Sequence, residues 1–189
     1  MKRHLALLLP FACLLPAVFA QQAPQKNPVS SVIRDILPRQ TKNITAAIDL
    51  MPADKFSYRP TPDQMTFAHL ASHIIESNFL FCSTAADMAP PPKKGATEND
   101  GKDKLLASVK TSFEFCETAL AKADDSKLGD MVEMFGGRQV PRAFAFIALA
   151  SSWADHYGAA AMYLRMNGIL PPTAQKKTDE PKKADEPKK

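Results

Sequence analysis

The chain has 189 residues, 45% of them hydrophobic and 23% charged, with a formal net charge of +4. Residues 1–20 carry +2 of that charge and residues 173–189 another +2, which leaves the stretch between them neutral. A neutral domain with no cluster of Lys and Arg cannot displace counterions from a phosphate backbone, so nucleic acid is excluded as a partner.

At the start of the chain, Lys2 and Arg3 precede an apolar run that ends with Val18 and Ala20 placed before a cleavage site. This is the pattern of a secretory signal peptide. Cys13 lies inside the apolar run rather than just after it, which argues against a lipoprotein. The mature chain is therefore expected to be exported, to the periplasm or the extracellular space. No other run reaches the roughly 18 to 20 apolar residues that cross a bilayer, so no membrane span is expected in it. Residues 21–28 read as a linker, and residues 29–172 are long enough for one domain with its own core.

Helical spacing of Val32, Ile33, Ile36, Leu37, Ile44, Ala47, Ile48 and Met51 predicts a first helix from Val29 to Leu50. Pro38 within it removes one backbone hydrogen bond, so the helix kinks there or starts later. A loop with Pro52, Pro60 and Pro62 follows. Thr66 is the expected cap of a second helix, in which Phe67, Leu70, Ala71, Ile74, Asn78, Phe79, Cys82 and Ala85 share a face. Three consecutive prolines and two glycines make the segment after Met88 a long connection.

Leu106, Val109, Phe113, Cys116 and Leu120 then step by three and four through a third helix, Asp103 to about Ala123. Residues 124–139 form a glycine-containing connection without a strand signal. The fourth helix opens at Pro141 and stops at Gly168, ahead of Pro171 and Pro172. On it, Phe144, Ile147, Ser151, Ala154, Gly158, Ala161 and Arg165 form a stripe whose small members admit a close neighbour. His156 stands on the adjacent row, with Leu149, Ser152, Ala160 and Tyr163. Four amphipathic helices with polar connections predict an all-α four-helix bundle. Residues 173–189 repeat DEPKK and hold no large apolar side chain, which predicts a disordered tail.

Cleavage of the signal would leave three histidines. His69 and His73 are four residues apart on one helical face, a spacing that lets two imidazoles reach one ion. His156 on a distant helix adds a third donor, since bundles build metal sites from facing helices. Asp155 and Glu76 either orient such ligands or are solvated charges. Cys82 and Cys116 read as two buried thiols or, in an oxidising compartment, as a disulfide. If the second and third helices run antiparallel, the two cysteines differ in height by roughly 10 Å, which favours free thiols.

The segments HLASHIIESNFLFC (69–82) and DHYGAAAMYLRMNGILPP (155–172) resemble the DinB/YfiT-like superfamily of metalloenzymes, and the resemblance covers nearly the whole mature domain. It implies a four-helix bundle, often a homodimer, with a divalent metal of the zinc or nickel type held by three histidines. One comes from the second helix and two, four residues apart, from the last. Carried over, the ligands fall on His73 and His156, while Ser152 occupies the remaining His position and His69 is a candidate third ligand. Ala159 replaces the Gln or Asn that follows the HYG motif in the family. Two functions follow as expectations. One is an exported domain with a weakened metal site acting on a small molecule; the other is a metal-free binding or structural module of the cell envelope.

Overall fold

The computed structural model describes residues 25–92 and 95–175. The expected signal peptide, and the expected tail from residue 176 onward, lie outside the described residues. Four helices dominate: α1 (Pro28–Leu50), α2 (Phe67–Ala86), α3 (Lys102–Lys122) and α4 (Ala143–Met166). Helix α1 runs through Pro38 and begins at Pro28, a position where the missing N–H costs nothing. Its cap comes from far along the chain. The Asp125 carboxylate accepts the backbone N–H groups of Val29 and Ser30, each at 2.8 Å, placing a negative charge at the positive end of the helix dipole. The expected cap of α2 forms, with Thr66 Oγ1 accepting from His69 N at 3.1 Å.

Contacts along the helices set their directions. Arg34, early in α1, donates to the Leu120 and Ala123 carbonyls at the end of α3, so α1 and α3 are antiparallel. Helices α2 and α4 are antiparallel too, since Asn78 meets Trp153 and Tyr163 meets Met65. Helices α2 and α3 run parallel. The connection between them, residues 87–101, doubles back along α2. A Cβ on Gly95 would collide with Ile75 Cγ2, and Glu98 Oε2 lies 2.7 Å from His69 Nδ1 in the first turn of α2.

This direction corrects the reading of the cysteines as free thiols. Because both helices start at the same end, Asn78 meets Ser112 and Cys82 meets Cys116, each pair 34 residues apart. Cys82 and Cys116 form a disulfide, with Cα atoms 5.2 Å apart. The antiparallel arrangement behind the 10 Å offset does not occur, because the connection is long enough to return the chain to the start of α2.

Two further expectations need correction. The connection before α4 contains an antiparallel hairpin, β1 (Met131–Met134) and β2 (Arg138–Pro141), with Met134 opposite Arg138. Pro141 ends that strand, and the helix begins at Ala143. Phe135, Gly136 and Gly137 make the turn with φ of 51, 74 and 107°, a left-handed run that two glycines make affordable. The small-residue stripe of α4 faces outward, with Ile147, Ser151, Ala154 and Gly158 exposed. Trp153, Leu149, Phe146 and Leu164 take the inner face, since they bury far more apolar area.

Trp153, Phe67, Phe113 and Phe146 fill the core. A polar chain inside it is closed: Trp153 Nε1 donates to Asn78 Oδ1 at 2.8 Å, Asn78 Nδ2 to Ser112 Oγ at 2.9 Å, and Ser112 Oγ to the Val109 carbonyl at 2.7 Å. At the base of the hairpin, buried Arg142 donates to the Thr84 carbonyl at 2.6 Å and to Asp87 Oδ1 at 3.2 Å. That contact ties the hairpin to the end of α2.

Candidate functional site

Helices α2 and α4 separate on their outer side and leave a cleft of about 640 Å³. One turn of α2 supplies His73, Glu76 and Ser77, and one turn of α4 supplies Ser152, Asp155 and His156. Because the helices are antiparallel, the two turns lie opposite each other. The His73 and His156 rings meet edge to face with centroids 4.9 Å apart. His156 is buried, 8% exposed, whereas His73 is exposed on the cleft wall.

Ser152, one turn before His156, brings its hydroxyl to 3.0 Å from His156 Nδ1. That contact leaves Nε2 as the imidazole nitrogen open to a ligand. Burial, and then the charge of His73, push the His156 pKa below its ordinary 6.5, with Asp155 opposing them. At neutral pH His156 is therefore an uncharged imidazole, able to take a proton or share a lone pair.

His73 and His156 come together, while His69 is engaged elsewhere. Its Nδ1 pairs with Glu98 on the far connection at 2.7 Å. Glu76 and Asp155 line the cleft without bonding either imidazole among the described residues. Nor do three His, Cys, Asp or Glu side chains converge as a metal-holding group among the described residues. Only two imidazoles meet, the Ser152 hydroxyl is already spent on Nδ1, and the Glu76 and Asp155 carboxylates line the cleft without converging on them as a metal-holding group among the described residues. A set so poor in imidazole and thiolate does not fit a tightly held zinc- or nickel-type ion.

The far end of the cleft is aromatic, a feature that reading the helices alone missed. Phe135, from the hairpin turn, lies 6.1 Å from Phe81 of α2 and 6.0 Å from Phe144 of α4, edge-on to both. The signal for it was Phe-Gly-Gly at 135–137, a glycine pair suited to a hairpin turn. A larger groove of about 850 Å³ lies between α1 and α3. Among the described residues it holds no histidine, so volume and chemistry point to different places. The convergence of paired imidazoles carries more chemical meaning than size.

A family model described as the DinB superfamily matches residues 36–160. Among solved structures, a DinB-like protein from Bacillus cereus ATCC 10987 superposes with a TM-score of 0.61 at 16% identity, covering 75% of this chain and 95% of its own. A DinB-like protein from Bacillus subtilis gives a TM-score of 0.60 at 21% identity, covering 77% and 99%. At such identities these two likenesses carry the fold alone. No curated protein matches the chain.

Proposed function

Because this chain belongs to the DinB superfamily, we propose that its α2/α4 cleft is a small-molecule site built on His73 and His156. One observation carries the reading: the two imidazoles meet at 4.9 Å in an open cleft, one of them buried and uncharged. His156 Nε2 accepts a proton or hydrogen bond from the ligand, Ser152 holds the ring in place through Nδ1, and His73 supplies a second polar contact. A divalent ion of the zinc or nickel type binds there only weakly. Export belongs to the same proposal. Its support is the basic, apolar start of the chain and the Cys82–Cys116 disulfide, a bond that persists in oxidising compartments.

A second reading, a metal-free binding module, is favoured by one feature, the Ser152 hydroxyl on Nδ1 where a third imidazole would be needed. Equilibrium dialysis against Zn²⁺ or Ni²⁺, read by elemental analysis without a desalting step, separates the two. Binding below about 0.1 ion per chain at equilibrium with excess ion removes metal from the proposal, because even a weak imidazole site fills when free ion is in excess. Ser152→His restores a third imidazole, and its divalent-ion affinity should rise at least about tenfold. An unchanged affinity would mean that Ser152 does not stand at the family's ligand position.

A further inference from the structure

We propose that the cleft takes a small organic cation, a protonated amine carrying an aromatic or similarly bulky apolar group. The inference rests on the reading of the cleft as a small-molecule site and adds the chemical class of its ligand. Its polar end is lined by two carboxylates, Glu76 and Asp155, and, among the described residues, by no lysine or arginine. The field of these two carboxylates favours a positive head and repels a carboxylate or phosphate.

The other end is shaped for an apolar body. Phe135 stands at the hairpin tip in a left-handed conformation, φ 51°, with 56% of its surface exposed. A large aromatic held there, edge-on to Phe81 and Phe144, presents its ring to the cleft instead of burying it. One face of this wall is already taken, so the wall serves the ligand's apolar body and leaves its charged head to the carboxylates. The Arg138 guanidinium sits 5.7 Å above the Phe144 ring, the geometry of a cation–π contact. A cleft of about 640 Å³ suits a ligand of small-metabolite size.

Titration of the purified protein with 2-phenylethylamine and with 3-phenylpropionate, followed by calorimetry and by the His156 imidazole resonances in NMR, tests the inference. The amine should bind at least about tenfold more tightly than the carboxylate, the scale of one favourable charge contact. Phe135→Asn, a residue that tolerates positive φ, should weaken amine binding severalfold. Glu76→Gln combined with Asp155→Asn should erase the preference for the amine. Equal binding of the two probes, or tighter binding of the carboxylate, with His156 resonances moved, would overturn the cation class and leave the cleft standing as a small-molecule site. An unchanged amine affinity in Phe135→Asn would overturn the aromatic half. Binding of neither probe would remove both this inference and the proposed site.

Discussion

Helix α2 has one side against α3 and another facing α4, and the two are built on different principles. Toward α3 and the core it is sealed: the Cys82–Cys116 bond ties the two helices, Asn78 Nδ2 donates to Ser112 of α3, and Asn78 Oδ1 accepts from Trp153 on the inner face of α4. Toward the outer side of α4, five and two residues before Asn78, His73 is exposed and Glu76 is unpaired with any imidazole among the described residues, and His156 keeps Nε2 open. One helix thus serves as a staple on one side and a binding wall on the other. The polar groups of the Asn78 chain are satisfied inside the protein, while those that line the cleft keep open positions.

The largest effect should come from the sealed side. Reducing the disulfide frees a loop of 34 residues and should cost about 4 kcal/mol in denaturant unfolding by the chain-entropy estimate. A loss below about 1 kcal/mol would show that the parallel packing of α2 and α3 holds without its bond. Next comes Asn78→Ala. It leaves the Trp153 indole N–H without an acceptor in a dry core, while the Ser112 hydroxyl keeps its bond to the Val109 carbonyl, and should cost about 2 kcal/mol. Ligand binding in the cleft should survive that change, and its loss would blur the contrast between the two sides.

The smallest effect belongs to the open side and appears as a pH dependence. Burial, then His73, lowers the folded pKa of His156 below 6.5, so the unfolded chain binds that proton more readily. Stability from this group is complete above 6.5 and declines as pH falls through the folded value. His156→Gln should flatten the stability profile just below pH 6.5, as read by thermal unfolding at a series of pH values. The acid limb of the profile should remain. It comes from carboxylates such as Asp125, which burial would raise but the N–H groups of Ser30 and Val29 hold below 3.8. A profile unchanged by His156→Gln would mean that the imidazole is solvated rather than buried.

The sequence by itself determined the four helices, the Thr66 cap and the DinB character of the chain. Each of these rests on local periodicity, on a side chain bonding its own helix, or on an ordered motif. His73 and His156 could be named as partners only through the family resemblance, since spacing within one helix says nothing about the helix opposite. Tertiary structure alone decided the parallel course of α2 and α3, and with it the disulfide, because a connection containing prolines and glycines does not encode its direction. It also turned the small-residue stripe of α4 outward, where Trp153 and Leu149 outcompeted it for the core. The engagement of His69 by Glu98 was equally hidden, being a contact across 29 residues. Phe135 was lost in the same way: a four-residue strand pairs only with a partner across the turn, so its apolar pattern is too short to read until both strands are placed.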